Sequence, residues 1–393
     1  MHIRLLTTTF NEALTLPALA KGCAEMGVDS FVILDDRASD DGTEEVAYRE
    51  FGAVGIPGRV LKYDWPPDGC LSDKRNDLLN MPEAREGLTD GDFWFITQSD
   101  EHPSGPLNRS HLTQPLGMLI IQDMTDDPGT DHVSVPVEWS MPLLLRCDVK
   151  AHWSGRVHEL LLFDDVPPPT ACNLSSPRIH RYGSLATLER REEELRVLEE
   201  DQAREDTPRT AFYLAQTLQN LGRNEDAIAA YLHRATMTNG YDQEQFCAMY
   251  RVGLLLEESD PFKASRAFMD AWSLRPGRQE PLFHLAHIAN KWGNHEMAMM
   301  FCNQALMMPP TTDSMFVERW VEQWGIRYQW SVAAWWCGIP ECTAVMDELL
   351  ERNDLPKQHR ENIEANRLLP PRSVVEAQFA EQQKQAALAA ATQ

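Results

Sequence analysis

The sequence predicts an α/β half followed by an all-α half, on three observations. Residues 1 to about 180 alternate short apolar runs with helical stretches and polar turns, the spacing of βαβ units. From about residue 185 onward the chain reads as helices. Within those helices a motif recurs with a period close to about 35 residues, the signature of stacked helix pairs. A length of 393 residues accommodates two such domains.

In order, "HIRLLTTT" predicts a strand, and "EALTLPALAKGCAEMG" a helix closed by Gly27. "SFVILDD" predicts a second strand, and "DGTEEVAYREFG" a second helix closed by Gly52. "DFWFITQ" is a further strand, and "HVSVPVEW" and "PLLLRCD" are two more. Open α/β sheets bind ligands beyond the carboxyl ends of their strands. The polar clusters fall at such ends: Thr7 to Glu12, Asp35 to Thr43 and Gln98 to Glu101.

Next, "LATLERREEELRVLEEDQ" predicts a charged connecting helix. One repeat starts at Pro208, with Ala215, Gly222, Ala227 and Tyr231 at fixed offsets. Another starts at Gln279, with Ala286, Gly293, Ala298 and Cys302 at the same offsets. A looser copy between them carries Gly253, Ala264, Phe268 and Pro276. Small residues suit the places where paired helices cross closely. The Trp-rich "MFVERWVEQWGIRYQWSVAAWWCG" predicts a helix continuing or capping the stack. The expected boundaries are 1–184, a connecting helix over 185–206, repeats over 207–370 and a polar Ala/Gln-rich tail over 371–393.

Asp and Glu outnumber Lys and Arg by 60 to 36, for a formal charge of −24. That balance disfavours general nucleic-acid binding and anionic membrane surfaces. No apolar run is long enough to span a bilayer, and "MHIRLLTTTFNEA" lacks a signal peptide's apolar core, so a cytoplasmic protein is expected. Eight cysteines form no C-x-x-C pair, which points to reduced thiols rather than a zinc site.

Four clusters carry possible chemistry. In "LDDRASDDGTEE", Ser39, Asp40, Asp41 and Thr43 suit a helix cap. Asp36, at the strand's end, is not needed for capping and can accept hydrogen bonds from a base or ribose. Lys74 and Arg75 offer two cations, either for a diphosphate or for surface ion pairs. Asp100 and Glu101 at a strand end can hold a divalent cation with hard oxygen ligands. In "AHWSGRVHELL", His152, Trp153, His158 and Glu159 crowd one short segment.

The set resembles a family 2 glycosyltransferase of the GT-A fold joined to a C-terminal tetratricopeptide-repeat domain. "TTTFNEA" matches that family's "T-x-x-N-E" segment. Asp36, Ser39, Asp41, Gly42 and Thr43 match "D-x-G-S-x-D-G-T", with Ala38 replacing the glycine. Lys74-Arg75-Asn76 stands where the family has "A-R-N", and Gln98-Ser99-Asp100-Glu101 where it has "D-A-D-E". Trp153, Gly155, Val157, His158 and Glu159 match "W-x-G-x-V-H-E", and Pro208 to Gln216 match "P-R-T-x-F-Y-L-A-Q".

The resemblance implies a Rossmann-like, mixed but mostly parallel sheet. It also implies metal-dependent inverting transfer from a nucleotide sugar, UDP-sugar favoured, to a protein, a glycan or another macromolecule. Thr8, Thr9 and Glu12 would line the nucleotide pocket, Asp36 the base and Arg75 the diphosphate. Asp100 would hold Mn²⁺ or Mg²⁺, with His158 as a further contact. Glu159 is the expected base, with Glu101 and Asp148 as rivals. Gln98 replaces the first acid of the pattern; it can bond a ribose hydroxyl but brings no charge, which implies weaker or altered metal use. That departure supports a second reading, a degenerate domain serving a repeat scaffold. Transfer to modified DNA is a third, opposed by the charge, and a nucleotidyltransferase lacks its Gly-rich loop. The repeats would form a concave groove for a macromolecular acceptor or for dimerisation.

Overall fold

The computed structural model describes residues 1–65, 70–124, 137–182, 188–370 and 375. The expected tail lies outside the described residues except for Val375, as do residues 132–136 of "HVSVPVEW" and 185–187 of the connecting segment. The chain forms two compact units; among the described residues the first ends at Leu198 and the second begins at Glu199.

The first unit opens with β1 (Ile3–Thr9), α1 (Leu16–Met26), β2 (Ser30–Asp36), α2 (Thr43–Ala53) and β3 (Gly58–Tyr63). These make two βαβ units, with β1, β2 and β3 parallel. Then α3 (Leu71–Asn80) and the short α4 (Pro82–Arg85) precede β4 (Phe93–Ile96), which pairs parallel with the other side of β1. The strands β5 (Glu101–Ser104), β6 (Leu116–Met124), β7 (Val137–Arg146), the hairpin β8 (Ala151–Ser154) and β9 (Leu160–Phe163), and β10 (Ala171–Tyr182) follow. The large sheet has the order β3-β2-β1-β4-β7-β6-β10-β5.

The sheet is therefore mixed. β7 lies antiparallel between β4 and β6, and β5 antiparallel to β10, while β10 runs parallel to β6. The described part of "HVSVPVEW" and the start of "PLLLRCD" belong to the single strand β7. Pro142 reads as a break, but it sits beside a register shift opposite Gly117 and Met118, where a missing N–H is tolerated. Gly27 closes α1 in the left-handed region as expected, at φ 86°. Gly52 does not close α2: the helix continues to Ala53, and Gly55 takes the positive φ, 76°.

Strand alternation sorts the side chains onto two faces. Ile3, Leu5, Phe31, Ile33, Phe93 and Phe95 pack with Leu16, Leu19 and Phe51 from α1 and α2. Leu6, Val32, Leu34, Trp94 and Ile96 pack on the opposite face with Leu78 and Leu79 of α3 and Trp153 of β8. The same alternation sends adjacent Asp35 and Asp36 to different faces, so two neighbouring carboxylates acquire different environments.

α5 (Leu188–Arg204) precedes three helix pairs of the second unit: α6 (Pro208–Asn220) with α7 (Asn224–Thr236), α8 (Asp242–Leu256) with α9 (Pro261–Leu274), and α10 (Glu280–Lys291) with α11 (His295–Leu306). The recurrent small residues Ala215, Ala227, Ala286, Ala298 and Cys302 are fully buried. Gly222 and Gly293 make the turns inside two pairs, each with φ 73°. In the middle pair Gly253 takes the close-crossing position; a Cβ there would strike the Phe268 ring.

The Trp-rich segment is not one helix from Met315. A π-helical turn over Val321–Gly325 leads into α12 (Ile326–Trp336), followed by α13 (Cys342–Leu350) and α14 (Lys357–Arg367). Residues 313–318 have no helical hydrogen bonding because side chains of α8 and its neighbours hold that backbone. Gln243 accepts from the Ser314 and Met315 N–H groups at 3.1 and 2.9 Å. Arg278 donates to the Met315 and Phe316 carbonyls at 3.2 and 2.9 Å. Tyr250 donates to Glu318 at 2.7 Å, and Arg251 lies over the Phe316 ring at 4.6 Å. No helix among the described residues is long and apolar enough to cross a membrane.

Candidate functional site

The carboxyl ends of β1, β2 and β4 and the start of α3 bring most of the expected site residues together. Asp35 is fully buried and accepts from the Thr9 hydroxyl at 2.8 Å, the Ser39 hydroxyl at 2.9 Å and the Lys62 ammonium at 2.8 Å. It is thus the internal tie of the edge, and Thr9 is committed to it. Asp36 accepts from the Ala38 N–H at 2.9 Å and faces the α3 side. Thr8 and Arg75 line one small cavity together with Leu6, Leu78, Ile96 and Thr97. Beside them the Thr7 hydroxyl is buried with no hydrogen-bond partner.

The loops after β1 and β4 meet at Glu12. Its carboxylate accepts from the Thr15 hydroxyl at 3.2 Å, and Ser99 and Asp100 lie close enough to act on it. Burial pushes the Glu12 carboxyl above its ordinary range; the Ser99 and Thr15 hydroxyls oppose that shift and Asp100 adds to it. Asp123, on β6, is also pushed up, by burial first and with Asp100 adding to it, while Arg181 opposes. Among the described residues the Asp100 side chain makes no hydrogen bond or ion pair. Glu101 is buried and accepts from the Thr97 hydroxyl at 2.8 Å and the Gln98 N–H at 3.1 Å, which shapes the turn presenting Asp100.

A second group forms where α3 packs on the β8–β9 hairpin. Arg75 lies 3.5 Å from Glu159 and over the Trp153 ring at 4.6 Å. Asn76 fixes the hairpin, donating to the Trp153 carbonyl at 2.8 Å and accepting from its N–H at 2.6 Å. His158 pairs with Glu194 of α5, whereas Asp100 sits with Glu12 and Asp123. Asp148 is held below the usual carboxylate range by its hydrogen bonds from Arg146, 2.6 and 2.8 Å long. Among the described residues no three His, Cys, Asp or Glu side chains form a group that could hold a metal ion.

Lys74, which the sequence offered as a cation for a diphosphate or for a surface ion pair, lies inside the protein. Its side chain is 1% exposed, and its ammonium donates to the Thr9 carbonyl at 2.9 Å. Burial drives its pKa down to about 8, against the pull of Asp36, Asp35 and Glu12. The signal lay in the helix spacing: Lys74 and Leu78, four residues apart, share the buried face of α3.

The tetratricopeptide-repeat family profile matches residues 280–312, which is the α10–α11 pair. No curated protein matches the chain. Among solved structures, MamA from Desulfovibrio magneticus RS-1 aligns at 15% identity over 41% of this chain and 85% of its own, with a TM-score of 0.32. A thermophilic tetratricopeptide-repeat protein of Thermus thermophilus aligns at 20% identity over 46% and 93%, with a TM-score of 0.29. S. aureus TarS 1-349 aligns at 12% identity over 77% of this chain and 90% of its own, with a TM-score of 0.30. These likenesses carry no argument about function. The chain thus joins a mixed-sheet α/β unit to a helical region that carries a tetratricopeptide-repeat match.

Proposed function

We propose that the first unit is a GT-A glycosyltransferase domain of the family 2 type. It moves a sugar with inversion from a nucleotide sugar, UDP-sugar favoured, to a protein or glycan acceptor that the repeats engage. The observation that carries this reading is the approach of Ser99 and Asp100 to the Glu12 carboxylate. It brings the loops after β1 and β4 together at the sheet edge that also presents Asp36, Thr8 and Arg75. Clustering at the carboxyl ends of parallel strands is where an open α/β sheet binds a nucleotide.

In this reading Asp36, Thr8 and Gln98 receive the base and ribose, and Arg75 turns from Glu159 to the diphosphate. Glu159 is thereby released to take the acceptor's proton. Asp100 fits a hard-cation role, being a carboxylate with no competing partner among the described residues, and the substrate's phosphates complete the shell. His158 joins it only after leaving Glu194. Bound Mn²⁺ or Mg²⁺ supplies positive charge against the departing diphosphate.

The test is Mn²⁺-dependent hydrolysis of a panel of UDP- and GDP-sugars. Turnover with at least one donor, lowered about a hundredfold by Asp100→Ala, is expected. Absence of turnover with every donor, or an unaffected variant, overturns the reading. Gln98 in place of an acid favours one alternative, a domain that has lost catalysis and serves the repeats as a scaffold. That alternative predicts no turnover and no effect of Mn²⁺ on nucleotide affinity.

A further inference from the structure

We propose that Lys74 reads the nucleobase, selecting one that presents the exocyclic oxygen O4 of uracil or O6 of guanine where cytosine and adenine present an amino group. The inference rests on the nucleotide-site reading above and adds to it a residue that decides which nucleotide is accepted.

An ammonium carries three N–H donors. Lys74 is buried, and among the described residues the Thr9 carbonyl is its hydrogen-bond partner. The surrounding acids are engaged elsewhere. Asp35 is bonded by Thr9, Ser39 and Lys62, Glu12 by Thr15, and Asp36 by the Ala38 N–H. Apart from the Thr9 carbonyl and the Trp65 ring, no group among the described residues accepts from the ammonium, so part of its burial penalty remains for a ligand acceptor to remove. Purely structural packing at this place would be met more cheaply by an apolar side chain, as Leu78 shows one turn later.

The surroundings choose the acceptor. Asp35, Asp36 and Glu12 all act on the Lys74 ammonium, so the spot is rich in negative charge and repels a diphosphate. A neutral heterocyclic carbonyl meets no such repulsion. The Lys74 ammonium lies over the Trp65 ring, 4.2 Å from its centroid, and this cation–π contact holds the amine in place. A site built to donate to a carbonyl rejects an analogue that presents an amino group there, because two donors then face each other. Cytosine and adenine are such analogues.

The experiment is calorimetric titration of the full chain with UDP, GDP, CDP and ADP, for the wild type, Lys74→Met and Lys74→Gln. Each variant's thermal unfolding is recorded to confirm folding. The expected result is that the wild type binds UDP or GDP about tenfold or more tighter than CDP and ADP. Lys74→Met should flatten that preference to within about twofold. Lys74→Gln, which keeps a neutral donor, should retain part of it. Equal affinity for UDP and CDP in the wild type, or an undiminished preference in Lys74→Met, overturns the role of Lys74 while leaving the nucleotide site standing. Failure of the wild type to bind any of the four overturns both.

Discussion

The Thr9 hydroxyl donates to the carboxylate of Asp35 at 2.8 Å, entirely inside the protein. This bond ties the end of β1 to the end of β2 and separates the work of two adjacent acids. Asp35 holds the edge together, and Asp36 faces the side where α3 places Lys74. Asp35→Ala should therefore cost about 2–3 kcal/mol, because it strands the buried Thr9 hydroxyl and leaves Lys62 with Glu44 alone. Asp36→Asn should cost under about 1 kcal/mol and weaken nucleotide binding instead. Urea unfolding of the two variants, with nucleotide titration, checks the contrast; equal destabilisation would contradict it.

Lys74 makes a pH-dependent prediction. An unfolded lysine titrates near 10.5, and burial lowers this one to about 8. Between those values the unfolded chain holds a proton that the folded chain lacks, so stability rises with pH across that window. Below about pH 8 the folded protein bears the whole penalty, on the order of 3 kcal/mol before the lost Thr9 bond is counted. Lys74→Met should thus be more stable than the wild type at pH 7, by about 1–3 kcal/mol. The advantage should shrink as the pH is raised from 8 towards 10. Chemical unfolding at a series of pH values measures it, and a variant less stable than the wild type at pH 7 counts against the buried-amine account.

The extent to which sequence revealed this protein follows from how local each signal is. β1, α1 and β2 were legible because alternation, a C-terminal Gly27 and runs such as "SFVILDD" are written within a few residues. The antiparallel placement of β7 between β4 and β6 was not, since partners distant in the chain determine it. The sequence brought Asp36, Arg75 and Asp100 to notice, yet only the fold shows Arg75 against Glu159 and His158 against Glu194. Residues 315–318 read as the start of a helix, but Gln243 and Arg278 claim their backbone groups from elsewhere in the unit.

Gly253 carries a prediction for the repeats. Gly253→Ala places a methyl group into the Phe268 ring and should destabilise the second unit by about 1–3 kcal/mol. Gly222→Ala meets open space, and its cost of about 1 kcal/mol comes only from the left-handed backbone. Circular dichroism melts rank the two, and the reverse order would contradict the close crossing.

Asp313 anchors the extended segment. It accepts from Arg275 at 2.6 Å and lies 3.6 Å from the buried Arg278. Asp313→Ala should cost about 3 kcal/mol and open residues 313–318 to proteolysis. Limited proteolysis followed by mass spectrometry reads this, and an unchanged cleavage pattern would count against the anchor.

The central claim is a nucleotide site at the carboxyl edge of β2, β1 and β4. Hydrogen exchange of the full chain, with and without UDP and Mn²⁺, tests it most directly. The account predicts new protection at Thr7 to Glu12, at Asp36 to Thr43, at the start of α3 and at Gln98 to Glu101. No protection in these segments, at ligand concentrations that change exchange elsewhere in the chain, would contradict it.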